Sequence, residues 1–181
     1  MDGALDRVDT VDAVTRIVEH VRRVRPDVVV TFGMDGAYGH PDHIAICQLT
    51  SAALVAAADP AFGGGDAHRV SKLYWFGNTA AKWELYQRAF KRLVSTVDGV
   101  ERVAQPWPDW LPTTRVDARA HWRTVWRAVQ QHRTQLAVYE GLGDLTEAQH
   151  EAIWGEQDFY RVYSLVNGGR AVEHDVFAGL D

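Results

Sequence analysis

The first regular pattern in the chain is an apolar stripe near its amino terminus. Between about Asp9 and Arg25, aliphatic side chains recur at steps of three and four residues, at Val11, Val14, Ile17, Val18, Val21 and Val24. This spacing predicts an amphipathic helix. Pro26 ends it, because proline cannot continue a helix. The next segment, Asp27–Phe32, is apolar and β-branched without alternation, which predicts a strand that is buried on both faces of a sheet.

The rest of the chain continues to alternate between helical and strand-like segments. We predict further helices at His40–Ala58, Ala80–Val97, Arg119–Gln131, Thr146–Trp154 and Gln157–Leu165, and further strands at Leu73–Phe76 and Thr113–Asp117. The tail, Arg170–Leu180, fits either a strand or a loose extension. Helices that alternate with short apolar strands are typical of α/β proteins. We therefore expect a Rossmann-like parallel sheet with flanking helices.

The first predicted helix has no predicted strand before it. A right-handed βαβ crossover needs a strand on each side of its helix, so we expect the sheet to lack its first strand–helix–strand portion. A chain of 181 residues has the length of one domain. The expectation is therefore a single domain over residues 1–181 that is incomplete at its amino terminus.

Composition and charge exclude several classes of protein. The net charge is −5, from 19 basic and 24 acidic residues, so the chain lacks the overall basic field that nucleic-acid binding favours. No apolar run approaches the roughly 18 residues of a membrane span. The first residues resemble neither a signal peptide nor a transit peptide, and Cys47 is the single cysteine. These features predict a cytoplasmic protein that binds no nucleic acid and has no membrane span, and they leave homo-oligomerisation open.

The strongest chemical signal follows the first buried strand, in the run Asp35-Gly-Ala-Tyr38-Gly-His40-Pro-Asp42-His43. Open α/β sheets bind their ligands at the carboxyl ends of strands, and a helix that begins here favours negative charge at its amino end. Imidazole is a common zinc ligand, but two histidines supply at most two of the three protein ligands of a catalytic zinc site. Spacing alone leaves two interpretations open: half of a metal site, or a capped helix start with surface histidines.

A resemblance extends this interpretation. The run Arg25–Phe32, followed by the glycine-rich run that ends at His43, resembles the second motif of the PIG-L/LmbE-type N-acetyl deacetylases. The segment His132-Arg-Thr-Gln135 and the closing segment that begins at Glu173 resemble two later parts of the same family. Its members are zinc enzymes that hydrolyse the acetamide of N-acetylglucosamine conjugates and related amides. The resemblance implies an α/β fold, a zinc cofactor and a small N-acylated, sugar-like substrate.

The resemblance also implies roles for individual residues. His43 would be a zinc ligand, and His40 would lie beside the metal as an electrostatic partner or general acid. Asp42 would orient a histidine, and Tyr38 would donate a hydrogen bond to the oxyanion. His40, Asp42 and Tyr38 are thus the expected catalytic residues. The expected substrate-binding residues are Asp35, His132, Gln135 and Trp107. Trp107 is expected from its own position, since an aromatic ring in a proline-rich loop fits contact with a substrate or with a subunit.

The family's first motif, a His-Pro-Asp-Asp-Glu run, supplies two metal ligands and the general base, and it does not occur in this sequence. We therefore expect an incomplete zinc site. One hypothesis is a zinc-dependent hydrolase that removes an acetyl or acyl group from an N-acetylglucosamine-type or related amide. The alternative is a non-catalytic relative that binds a sugar-like ligand or assembles with another chain. A nucleotide-binding protein is disfavoured, because the chain has neither a GxGxxG run nor a Walker lysine.

Overall fold

The computed structural model describes residues 4–89 and 94–180, without the side chains of residues 88, 89 and 135–140. Its helices are α1 (Thr10–Val24), α2 (Gly36–Gly39), α3 (Pro41–Ala57), α4 (Ala80–Ala89), α5 (Trp122–Val129) and α6 (Glu147–Trp154). Its strands are β1 (Val28–Phe32), β2 (Lys72–Gly77), β3 (Val94–Val97), β4 (Val100–Val103), β5 (Thr114–Asp117) and β6 (Glu156–Ser164). Short 3-10 segments cover Leu5–Arg7, Arg119–His121 and Arg133–Asp144. These elements confirm the predicted α/β class.

The main sheet has four strands in the order β1-β2-β6-β5. Strands β1 and β2 are parallel, with Phe32 opposite Phe76, so both carboxyl ends lie at the same edge. Strand β6 runs antiparallel to β2 and to β5. The sheet is therefore mixed, and the parallel arrangement expected from the sequence holds for its β1–β2 pair.

Two segments that were predicted to be helical contain strands in the structure. The predicted helix Gln157–Leu165 is wrong, because this segment forms β6 in the interior of the sheet. The predicted helix Ala80–Val97 holds for α4, but its last residues form β3. Strands β3 and β4 make a hairpin around Asp98 and Gly99, which have φ angles of 51° and 78°. Positive φ at both central residues is the turn geometry that Asp-Gly favours in two-residue hairpins.

The main core lies between the sheet and the two long helices α1 and α3. It is formed by aliphatic side chains from both helices and from β2, including Val14, Val18, Val21, Leu49, Ala53, Leu54 and Leu73. Asp9 begins α1 by accepting a hydrogen bond from the Asp12 backbone N–H at 2.9 Å. This packing fixes the amino end of α3 next to the carboxyl end of β1.

The carboxyl end of α3 is held by the buried side chain of Arg22. Its guanidinium donates hydrogen bonds to six backbone carbonyls, those of Ala56, Ala57, Asp59, Phe62, Gly64 and Gly65. The last carbonyls of a helix have no partner within the helix and carry partial negative charge. A single cation from α1 therefore satisfies this helix end and the loop after it.

The closing segment of the chain returns to the sheet through the carboxylate of Glu173. This carboxylate accepts hydrogen bonds from Lys72, Tyr74, Thr114 and Asn167 and forms an ion pair with Arg161. Burial raises the pKa of Glu173, but the hydrogen bonds outweigh it and lower that pKa to about 2. The tail is thus attached to the sheet by this buried anion and by the Glu173 backbone, which donates to the Thr113 carbonyl and accepts from the Arg115 N–H.

Candidate active site

The glycine-rich run after β1 forms a tight, irregular turn before α3. Gly36 and Gly39 have φ angles of 60° and 70°, which residues other than glycine rarely adopt. Ala37 between them has φ 65° and ψ −56°, close to the strained γ-turn. The Asp35 carboxylate accepts a hydrogen bond from the Ala37 N–H at 3.3 Å. Strain of this kind is found at functional sites more often than elsewhere.

This turn brings three of the predicted site residues together, and we call Tyr38, His40 and His43 the imidazole cluster. The ring centroids of His40 and His43 are 4.6 Å apart. The Tyr38 ring meets them edge-on, at 5.7 Å and 5.4 Å. Phe32, the last residue of β1, stacks on the His43 ring at 3.9 Å. The cluster therefore lies at the carboxyl end of β1 and is only partly exposed.

Backbone groups give the two imidazoles opposite tautomers. Nδ1 of His43 lies 3.2 Å from the Gly36 carbonyl oxygen, which can only accept, so Nδ1 carries a hydrogen and, in the neutral ring, Nε2 carries the lone pair. Nδ1 of His40 accepts a hydrogen bond from the Asp42 N–H at 3.2 Å, so the hydrogen of the neutral ring is on Nε2. In the neutral rings, Nε2 of His43 is therefore an acceptor and Nε2 of His40 is a donor.

Asp42 makes its described hydrogen bond with the segment that precedes α1. Its carboxylate accepts from the Leu5 N–H at 2.8 Å, and it lies in the first turn of α3, where negative charge is favourable. Gly36 and the Asp42 backbone, rather than a described carboxylate bond, orient the Nδ1 atoms of the histidines. A role of the Asp42 carboxylate in orienting a histidine stays a prediction.

Trp107 supports the same edge of the sheet from below the turn. Its indole lies against the last residue of β2 and the first residue after β1, so that a Cβ added at Gly77 would be 2.4 Å from the ring and one at Gly33 would be 3.4 Å away. Its backbone N–H donates to the Asn78 carbonyl at 2.8 Å. Trp107 is buried, and its described contacts are with the fold. Contact with a substrate stays a prediction.

The other predicted site residues are not gathered at the imidazole cluster. His132 is exposed and precedes the 3-10 segment Arg133–Asp144. Over residues 4–89 and 94–180, no hydrogen bond or ring contact joins His132 to the cluster. The side chain of Gln135 lies outside those that the structure describes. Asp35 opens the turn itself and is exposed.

Two residues of the β3–β4 hairpin were missed by the sequence analysis. Ser95 Oγ donates to the Tyr38 carbonyl at 3.1 Å, and Arg102 Nη1 donates to the Gly39 carbonyl at 3.0 Å. The available signal was Asp98-Gly99 between two valine-containing segments, which is typical of a hairpin. Placing residues 94–97 in a helix hid it.

The described residues do not make up a zinc site by themselves. No group of three or more His, Cys, Asp or Glu side chains among them is arranged to hold a metal ion. The lone pair on Nε2 of His43 fits one ligand position, whereas a catalytic zinc takes three protein ligands. A separate finding concerns membranes. Among residues 4–89 and 94–180, no helix has both the length and the apolar character that crossing a bilayer requires.

The structure is an α/β fold that places two imidazoles at the carboxyl end of a parallel strand, and the comparisons with known proteins say which class of protein has this arrangement. The family model "PIG-L: GlcNAc-PI de-N-acetylase" matches residues 1–54, which contain β1 and the whole imidazole cluster. Relatives from Thermomonospora curvata, Geodermatophilus obscurus and Thermobispora bispora are 37%, 34% and 31% identical. All three are named 1D-myo-inositol 2-acetamido-2-deoxy-alpha-D-glucopyranoside deacetylase. This chain belongs to the PIG-L/LmbE deacetylase family.

The similarity extends over nearly all of this chain but over less of each relative. It covers 96%, 95% and 96% of this chain, and 61%, 61% and 63% of the three relatives in the same order. The chain therefore spans about six-tenths of the length of these relatives.

Two solved structures share the fold. The conserved protein TT1542 from Thermus thermophilus aligns with a TM-score of 0.59 at 20% identity, over 93% of this chain and 65% of that one. GalB, the 4-carboxy-2-hydroxymuconate hydratase from Pseudomonas putida, aligns with a TM-score of 0.57 at 18% identity, over 91% and 63%. At these identities the similarity supports the fold alone.

Proposed function

We propose that this chain contributes to a zinc-dependent hydrolase that removes an acetyl group from an N-acetylglucosamine-type or related amide. The names of the relatives support the substrate class, since each is called a deacetylase of an inositol-linked acetamido-glucopyranoside. The observation that carries the proposal is the pair of Nδ1 contacts of His40 and His43, which assign opposite tautomers to the two neutral rings. Amide hydrolysis uses both kinds of group: an electron pair to hold a metal and a hydrogen to stabilise the developing oxyanion.

His43 is the proposed zinc ligand of this chain, through Nε2. Its orientation is supported by the Gly36 carbonyl at Nδ1 and by the Phe32 ring on its face. A ligand imidazole that donates its other N–H to a carbonyl is a common arrangement, because the hydrogen bond fixes both tautomer and ring direction. When bound, zinc supplies a Lewis acid toward water and the amide carbonyl.

His40 and Tyr38 are the proposed donors to the reacting amide. The Nε2 hydrogen of His40 would stabilise charge on the carbonyl oxygen or pass to the leaving nitrogen. The hydroxyl of Tyr38 would be a second donor, because its ring lies beside both imidazoles. Asp35 stays a proposed substrate contact, because its exposed carboxylate opens the same turn.

The remaining groups of the site are proposed to come from a further strand beside β1. Among the described strands, β1 pairs with β2 along one edge, and no other described strand pairs with its second edge. Val30 of β1 is 47% exposed, although the strand has the apolar, β-branched composition of a sheet interior. A strand of the same domain at this edge would end next to the imidazole cluster. It would carry the other zinc ligands and the general base that the resemblance implies.

Zinc affinity and hydrolysis of the full-length protein test this proposal. We expect His43→Ala to weaken zinc binding by more than about 100-fold, because even the loss of a hydrogen-bonding partner of a ligand costs 10- to 100-fold. Hydrolysis of an N-acetylglucosaminyl inositol should fall to background in the same variant. His20→Ala, at an exposed histidine of α1, is the matched control and should change neither. Equal zinc affinity in parent and His43→Ala protein would refute the ligand assignment.

A further inference from the structure

We infer that Arg102, together with Ser95, is a positioning residue for His40: the β3–β4 hairpin holds the two carbonyls before His40 and so sets the orientation of its ring. The catalytic meaning of this inference rests on the proposed function. The structural meaning does not, because it concerns only which nitrogen of His40 carries the hydrogen.

The two donors face each other across the β3–β4 hairpin. Ser95 of β3 and Arg102 of β4 lie directly opposite each other in the hairpin. Their side chains donate to consecutive carbonyls, those of Tyr38 at 3.1 Å and Gly39 at 3.0 Å. These bonds join residues that are 57 and 63 positions apart in sequence. One cross-strand pair therefore holds two successive peptide groups of the turn.

Arg102 also packs against Gly39. A Cβ built at Gly39 would lie 2.7 Å from Arg102 Cδ and 2.9 Å from its Cβ, so the aliphatic part of the arginine covers this glycine. Gly39 has a φ of 70°, and its N–H donates to the Asp35 carbonyl at 3.0 Å. The N–H and the carbonyl of Gly39 are thus both hydrogen-bonded, and Arg102 fills the space beside its Cα where a side chain would lie. Arg102 supplies one of these bonds and the steric contact.

The peptide group that Arg102 holds is the one that leads into His40. The Gly39 carbonyl and the His40 N–H belong to one planar peptide group, so holding the oxygen also fixes the plane of this peptide and the direction of the His40 N–Cα bond. That direction, with the His40 φ of −67°, places the side chain so that Nδ1 lies 3.2 Å from the Asp42 backbone nitrogen. A turn released from Arg102 would let the ring swing away from this amide. The preference for hydrogen on Nε2 would then weaken.

Histidine NMR tests the inference independently of catalysis. Long-range ¹H–¹⁵N correlation spectra of the ¹⁵N-histidine-labelled protein report the tautomer of each ring. In the parent, we expect the Nε2–H form at His40 and the Nδ1–H form at His43. In Arg102→Ala, the two ¹⁵N shifts of His40 should move toward each other, as in a mixture of tautomers. The spectrum of His43 should stay the same, because its Gly36 partner is not held by Arg102.

Three further variants keep the test decisive. Arg102→Lys retains a donor and should restore at least half of the ¹⁵N shift difference at His40. Ser95→Ala should move the signals in the same direction by less, and it provides the measurement if Arg102→Ala does not fold. Arg127→Ala removes an exposed arginine of α5 whose side chain bonds to Thr124, and its spectrum should match the parent.

Activity gives the second measurement. Misplacement of a reacting group by a fraction of an ångström to 1 Å lowers turnover by up to about 100-fold, so we expect kcat of Arg102→Ala to fall by about 10-fold or more with KM within twofold. If the parent protein shows no hydrolysis, the proposed function is refuted. The NMR measurement of the His40 tautomer would still test the structural role of Arg102. An unchanged His40 tautomer in both Arg102→Ala and Ser95→Ala would overturn the inference, as would a parent spectrum without the Nε2–H form.

Discussion

The two ends of α3 are built in different ways. At its carboxyl end, Arg22 is 8% exposed and places its whole guanidinium on backbone carbonyls. At its amino end, His40 and His43 use Nδ1 for backbone bonds, remain partly exposed and follow the strained residue Ala37. A buried charge thus fixes the end that carries no proposed chemistry. The strained turn thus lies at the end of α3 that presents side chains to a site, and the buried charge lies at the end that serves stability alone.

The largest expected effect comes from the carboxyl end. Arg22→Met should lower the free energy of unfolding by roughly 3–4 kcal/mol, because several helix and loop carbonyls lose their donor. Arg23→Met removes the neighbouring arginine, which is exposed and contacts His20, and should change it by less than about 0.5 kcal/mol. Urea denaturation measures both. Equal midpoints for the two variants would contradict the assigned role of Arg22.

The second effect concerns Glu173, a buried carboxylate whose two oxygens both accept hydrogen bonds. Its pKa is lowered from 4.5 to about 2 in the folded protein, so its ionised form stabilises the fold above pH 4.5. This contribution, about 3 kcal/mol by linkage, is lost as the pH falls from 4.5 toward 2. Thermal midpoints between pH 2 and pH 6 measure it.

The control for this titration is a carboxylate of the surface. Glu173→Gln should be less stable than the parent at pH 6 and should lose much of the stability change between pH 4.5 and pH 2. Glu147→Gln alters an exposed pair with Arg123 and should follow the parent curve. A parent-like acid profile in Glu173→Gln would mean that other groups cause the acid sensitivity.

The third effect is at the amino end of α3, where Gly39→Ala should cost roughly 1–2 kcal/mol because of the positive φ and the contact with Arg102. Gly63→Ala is a matched control, because Gly63 has a φ of 58° and open space around its Cβ position. The difference between the two variants in denaturation measures the Arg102 contact. If the two costs are equal, this contact contributes nothing.

The smallest effect on stability separates the two roles of His40. His40→Ala should cost about 1 kcal/mol, because the ring caps α3, whereas His40→Asn should keep the cap. Both variants should lose most of the hydrolysis that we propose, since both lack the imidazole. Full activity in His40→Asn would show that the ring acts only as a cap.

Much of the fold around the site could be predicted because its signals are local. The apolar stripe of α1, the proline after it and the uniform apolar run of β1 each lie within one short segment. Strand β6 could not be predicted in this way. Phe159, Tyr160 and Tyr163 have a spacing compatible with a helix, and pairing with β2 and β5 decides the outcome.

In the candidate site, too, the local contacts could be predicted from the sequence and the contacts between distant segments could not. Tyr38, His40 and His43 are six residues or less apart, so the sequence could predict that they meet. The contacts of Ser95 and Arg102 with the turn join distant parts of the chain. Their positions follow from the hairpin and its docking, which no local pattern encodes. Roles based on the family resemblance alone, such as those of His132 and Gln135, stay predictions.

The Lys72–Glu173 pair has a consequence for the order in which the molecule is assembled. Lys72 is completely buried, and its described carboxylate partner comes 101 residues later in the chain. While the chain is being synthesised, β2 therefore lacks the anion that makes burial of its ammonium group favourable. Burial of the Lys72 ammonium group therefore becomes favourable only once the segment that carries Glu173 has been synthesised, long after β2 itself.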